Sequence, residues 1–174
     1  MGDAKQDDLR VGFDSRLKLK FLGSQITTDA GLLAYRELDE TLDLTALGAE
    51  SLQDSRLGRN KQHGLLALLR QSIYSRLAGY EDVNDAERLC VDPAMRYVVG
   101  GRAALPEKQA ASNSEVGRCE TEMLSERRNL TALMNLSGQW IDQVHQRQPL
   151  KQLILDLDSS VSETYGRQQG TAYN

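Results

Sequence analysis

The sequence predicts an α+β chain, mainly helical over residues 15–150 and turning to strands from residue 151. Three observations carry that expectation. Apolar side chains recur at helical spacing through most of the chain, between capping residues. The run "QLILDLD" at 152–158 alternates as a strand does. Between the apolar segments lie glycine, proline and serine punctuation, with no internal repeat.

The first 14 residues form a polar lead, expected to be flexible. "RLKLKFLG" then alternates Arg16, Lys18 and Lys20 with Leu17, Leu19 and Phe21, the pattern of a half-buried strand. Its lysines suit a solvated edge strand that resists pairing, and a basic rib along a DNA backbone is the functional alternative. In "TTDAGLLAYRELDETL", Thr28 or Asp29 caps a helix whose apolar face is Leu32, Leu33, Tyr35 and Leu38. A short helical piece ends near Gly48. The strongest helix carries Leu65, Leu66, Leu68, Leu69, Ile73 and Leu77, and Gly79 stops it. Asn84 or Asp85 caps the next piece, and Asp92 with Pro93 starts another that Gly100 and Gly101 close. Ser112 or Ser114 caps a further helix. The last is long and amphipathic, with Leu130, Leu133, Met134, Leu136, Trp140, Ile141 and Val144 mostly inward.

Composition narrows the function. With 174 residues, 40% apolar and 26% charged, the chain is ordinary globular material with enough length for a core. A net charge of −4 gives no global positive field, although local distribution outweighs the sum. Cys90 and Cys119 are isolated and only two histidines occur, so a structural zinc site is not expected and a reducing compartment is. The polar opening lacks a secretory apolar core, and no apolar stretch approaches the ~20 residues of a membrane span. A cytoplasmic protein without a membrane partner is the expectation.

The chemistry sits at the end of the chain. In "QLILDLDSS", Asp156 and Asp158 fall on one side of the predicted strand, roughly 6–7 Å apart by its rise. Carboxylates so placed are costly unless a cation compensates them, and an oxygen-rich pair suits Mg²⁺ or Mn²⁺. Asp158 as the opening of an Asx turn with Ser159 and Ser160 is the plain alternative. Two reaction classes begin this way. In a haloacid-dehalogenase-like phosphotransferase, the first Asp is a nucleophile. In an RNase-H-like nuclease or transposase, a first-strand Asp joins later carboxylates around two metals. "SETYGRQQGTAYN" predicts a turn into a second antiparallel strand, which favours the RNase-H-like opening.

"LDLDSSVSETYGRQQGTAYN" resembles the first catalytic segment of bacterial insertion-sequence transposases with a DDE domain of group 1, the insertion-sequence-1380 type. "TTDAGLLAYRELDETLDL", "DSRLGRNKQHGLLALLRQSIYSRLAGYEDVNDAERLCVDPAMR" and "AASNSEVGRCETEM" look like successive N-terminal blocks of the same enzymes, in order. Cys119 and Gln169 depart from the family pattern, and neither is a proposed ligand. The resemblance implies a DNA transposase that uses Mg²⁺ to cut element ends and join them to target DNA. The first catalytic and metal-binding carboxylate then falls on this strand, with Asp158 the first choice for it and Asp156 the second. It also implies that the chain is an N-terminal part, with residues 151–174 opening the catalytic domain. Later acidic residues are then missing, which leaves no catalysis in this chain alone.

DNA would be the partner, and the unpaired edge of the opened sheet predicts self-association. Candidate DNA contacts are Arg56, Arg59 and Lys61, the densest positive cluster, and Ser114 and Arg118 on a polar cap-and-helix unit. A DNA-binding repressor of transposition, without catalysis, is the rival reading, and the phosphotransferase is the other.

Overall fold

The computed structural model of the chain describes residues 9–19, 29–57 and 61–157. Among these the architecture is helical. Leu9–Arg10 (β1) and Lys18–Leu19 (β2) form a two-residue antiparallel ribbon, with Leu9 opposite Leu19 and Arg10 opposite Lys18. Helices follow at Leu32–Leu42 (α1), Leu44–Ser51 (α2), Leu65–Leu77 (α3), Ala86–Leu89 (α4), Pro93–Val99 (α5), Asn113–Arg118 (α6) and Arg127–Arg147 (α7).

The α+β expectation is therefore overturned. Residues 151–157 form neither helix nor strand and pair with no described residue, and every one of them is exposed. A strand satisfies its N–H and C=O groups only through a neighbour, and no described segment lies beside this one. Alternation shows which face an extended segment would bury, but pairing supplies the sheet. Asp158 and the predicted second strand lie outside the described residues.

The short ribbon ties down part of the polar lead. Val11 is buried, the Gly12 N–H donates to the Glu37 carboxylate, and the Arg36 guanidinium lies 4.8 Å over the Phe13 ring.

Helix α3 is central, and its surroundings exceed an amphipathic stripe. Leu68 joins Ala86, Ala111, Val116, Cys119 and Met123 in one cluster. Tyr74 joins Leu32, Leu89, Met95, Val98 and Val99 in the other. Gln71, fully buried between them, donates from Nε2 to the Ala111 carbonyl at 2.7 Å and accepts from the Ala111 N–H at 2.8 Å. One amide thus satisfies both backbone groups of a buried residue, as a strand neighbour would. Gly79 at φ 86° ends α3: its N–H reaches the Arg76 carbonyl and that of Tyr80 reaches Ser75.

Caps resolve the sequence alternatives. Ser112 caps α6 in a full capping box with Glu115, and Asp92 caps α5 with Pro93 at the first helical position. Asp82, rather than Asn84 or Asp85, accepts from the Asn84 N–H and starts the 3₁₀ turn Val83–Asp85. Gly31 precedes α1 with no side-chain cap, and Thr28 lies outside the described residues. Helix α2 runs past Gly48 to Ser51. Gly48 is the point of closest packing: a Cβ there would sit 3.0 Å from Leu69 Cδ2 and 3.1 Å from Leu136 Cδ2.

Helix α7 departs from its expected burial. It lies along α2, where the Trp140 indole donates to the Leu44 carbonyl at 2.8 Å and Leu136 is buried. Leu130, Met134, Ile141 and Val144 remain exposed, because α2 covers one stripe of the helix and they line the next.

Candidate functional site

The segment between α2 and α3 and the turn after α6 enclose an open cleft of about 480 Å³. Its far wall is the π-helical turn Cys119–Met123, a wider winding continuous with α6. Such bulges open the i→i−4 ladder and recur at functional sites. Buried Asn129 binds the two walls together. Its Oδ1 accepts from the Gln53 N–H at 2.8 Å, and its Nδ2 donates to the carbonyls of Gln53 at 2.9 Å and Met123 at 2.8 Å. From the other side Arg76 grips Glu120 through two bonds of 2.8 and 2.9 Å, which holds that carboxyl below its usual range.

Three of the residues expected to contact DNA meet here: Arg56, Lys61 and Arg118 all line the cleft. Arg59 lies outside the described residues. Ser114 is exposed on α6, its hydroxyl 3.2 Å from that of Ser112, and does not line the cleft.

The local charge is largely compensated. Asp54 accepts from Arg56 Nε and Nη2, both at 2.8 Å, and from Lys61 Nζ at 3.2 Å. The Arg56 guanidinium holds the Asp54 carboxyl far below the usual range. Arg56 Nη1 also donates to the His63 carbonyl at 3.0 Å, so this arginine shapes the loop as well as charging it. Glu115 and Glu122 add two carboxylates to the walls. Exposed Arg118, whose Nε donates to the Ser114 carbonyl at 3.2 Å, is the cation with no carboxylate partner among the described residues.

Beneath the cleft, His63 is buried with its Nε2 3.9 Å from Glu115 Oε2. Burial pulls its pKa down; Glu115 opposes that shift, and Arg102 and Arg56 add to it. Cys119 is also buried, and burial pushes its thiol up to about 11, far from a reactive thiolate.

Asp156 does not join the cleft lining and stands exposed on the segment after α7. Among the described residues no three His, Cys, Asp or Glu side chains converge into a metal-binding group. One solvated carboxylate does not fit a divalent cation, which takes several oxygen donors. The described residues thus do not assemble the donor set for Mg²⁺.

Periodicity missed a buried polar hub. Asp39 accepts from the Thr45 N–H and hydroxyl, both at 2.6 Å, and from the Tyr74 hydroxyl at 2.9 Å. Arg36 and Arg70 approach the same carboxylate at 3.4 Å each, and Arg36 also pairs with Glu40. Burial, then Asp39, pushes the Tyr74 phenol well above its ordinary range. The only signal in the sequence was the Arg36, Asp39, Glu40 spacing, which an exposed helix face shows equally well.

No helix of the described residues is long and apolar enough to cross a membrane. Neither the curated proteins nor the solved structures give a match to this chain. A family model does, over residues 9–174, from the ribbon at Leu9 through the cleft to the D-x-D-S-S segment: the chain belongs to the family of the transposase DDE domain, group 1.

Proposed function

We propose that this chain is the DNA-handling part of a transposase of the insertion-sequence-1380 type. The observation that carries the proposal is the family match across residues 9–174. Domains of this family generally use divalent metal ions. In this proposal Mg²⁺ or Mn²⁺ is the ion, and Asp158 with Asp156 begins its carboxylate set. Polynucleotidyl transfer needs several carboxylates about its metal ions, and among the described residues no three His, Cys, Asp or Glu side chains converge. A repressor of transposition acting by binding alone rests on the same observation. A DNA substrate and two buried free thiols favour a cytoplasmic setting.

The cleft supplies the proposed phosphate contacts. Arg118 is exposed at its rim, and Lys61 can exchange a partly exposed pairing with Asp54 for a phosphate. With carboxylates interspersed, the cleft orients a backbone rather than attracting one from afar.

Fluorescence anisotropy with a labelled duplex oligonucleotide tests this. Affinity should fall with salt, and Lys61→Ala with Arg118→Ala should flatten the log–log slope by about two, since each neutralised phosphate contributes roughly 0.9. A slope that the double variant leaves unchanged removes the cleft from the DNA interface. Asp54→Asn should act in the opposite direction, freeing Arg56 and Lys61 and steepening the slope. For the carboxylates, calorimetric Mn²⁺ titration of Asp158→Asn and Asp156→Asn compares their roles, and the true ligand loses binding when neutralised.

A further inference from the structure

The charges in and beside the cleft cancel among the described residues: Arg56, Lys61 and Arg118 stand against Asp54, Glu115 and Glu122. Carboxylates, ammonium and guanidinium groups ordinarily hold their charge around neutrality, where an imidazole changes its own. One imidazole lies beneath this wall. His63 is buried just ahead of α3, and its carbonyl is fastened to Arg56 Nη1 at 3.0 Å. Its Nε2 stands 3.9 Å from Glu115 Oε2, beyond hydrogen-bond length and inside ion-pair range. That same oxygen accepts from the Ser112 N–H and hydroxyl only at 3.3 Å each. The Glu115 side chain is 25% exposed on the cleft wall, so it has room to turn toward a cation.

We propose that His63 is the proton-linked residue of this cleft: phosphate held by Lys61 and Arg118 binds together with one proton from solvent, which makes the imidazole an imidazolium facing Glu115. The phosphate contacts rest on the proposed DNA function, and the proton on His63 is what is added to them.

The charged groups that face His63 come from three elements. Glu115 belongs to α6, Arg102 to the 3₁₀ turn Gly101–Ala104, and Arg56 to the segment after α2. Helix α3 carries no charge before Arg70. Burial, foremost, disfavours a charge on His63; Glu115 opposes that, and Arg102 and Arg56 add to it. An arriving phosphate changes the balance. It meets Glu115 and Glu122 on the walls, and like charges repel. An imidazolium beneath the wall offsets the incoming charge and draws Glu115 away from it. A neutral His63 leaves Glu115 against the phosphate.

The coupling is reciprocal: the proton strengthens the hold on phosphate as much as phosphate strengthens the hold on the proton. The titration midpoint of His63 is therefore higher with phosphate bound than without. The added affinity is complete below the free midpoint and is lost as pH rises through the bound one. Burial already sets the free midpoint below 6.5, so the gain falls on the acid side of neutrality. A histidine that merely fills the core would titrate alike with and without an anion.

Side-chain ¹⁵N NMR of the whole chain tests this, with His145 on α7, outside the cleft lining, as the internal control. Inorganic pyrophosphate at constant ionic strength should raise the His63 midpoint and leave that of His145 in place. A His63 midpoint that pyrophosphate does not move overturns the proposal. Lys61→Ala with Arg118→Ala should remove the shift, and a shift that survives places the anion elsewhere and overturns it too. Anisotropy with the labelled duplex from pH 7.5 to 5.5 is the second readout, with circular dichroism at each pH to confirm the fold. Affinity should rise at least about threefold more in the native chain than in His63→Gln, one proton allowing at most about tenfold per pH unit. Equal rises in the two chains overturn the proposal. Glu115→Gln, which removes the carboxylate facing the imidazole, should shrink the acid-side rise. The two probes keep the readings apart. Duplex binding with an unmoved His63 removes the proton linkage and leaves the DNA function. A His63 moved by pyrophosphate, with no duplex binding, leaves the linkage and removes the DNA function.

Discussion

Asp39 shows how one side chain can hold three helices. It sits on α1, binds Thr45 of α2, and accepts from Tyr74 of α3, with Arg36 and Arg70 alongside. Removing it leaves two buried guanidinium groups with less compensation. Asp39→Ala should therefore cost about 3–5 kcal/mol in urea unfolding. Tyr74→Phe, which deletes one donor and leaves the ion pairs, should cost about 1–2 kcal/mol. His63 gives the pH dependence. Its folded pKa is depressed, so the unfolded chain takes up a proton near pH 6.5 while the folded chain waits for lower pH. Stability is complete above that range and falls as pH drops from 6.5 toward the folded value, by at most about 1.4 kcal/mol per unit. Urea midpoints from pH 7.5 to 5 should fall more steeply in the native chain than in His63→Gln. Neither role was legible in the sequence. A histidine ahead of a helix and an acid within one are ordinary surface features until their neighbours are known.

Elements were the most legible level. The stripe Leu65 to Leu77 places α3, Gly79 ends it, Asp92 and Pro93 start α5, and Ser112 starts α6. Those signals are local, made by a side chain and the backbone within four residues of it, so local sequence contains them. Removing the capping hydroxyl in Ser112→Ala should cost about 1 kcal/mol. The misplaced end of α2 has a different cause. Gly48 looked like a stop but sits mid-helix, where Leu69 and Leu136 leave no room for a side chain. Gly48→Val should accordingly destabilise by about 1–3 kcal/mol through overpacking, seen as a lowered thermal midpoint. Burial on α7 was overestimated for a related reason. Amphipathic spacing identifies a face able to pack, and what packs on it depends on the neighbours.

For the whole molecule, the strand expected from residue 152 did not form among the described residues, and the helical body did. That body brings Arg56, Lys61 and Arg118, drawn from segments more than 50 residues apart, into one cleft. The sequence by itself determined most of the helices, the caps at Asp92 and Ser112, the stop at Gly79, and the motif blocks that agree with the family match. All of these depend on residue type at short spacing. Tertiary structure alone decided the burial of the Asp39 hub, the pairing of Asp54 with the cleft cations, the neutral burial of His63 and the open stripe on α7. Each is set by which distant group arrives to desolvate, neutralise or cover a side chain, and the physics of burial and charge acts through that arrival.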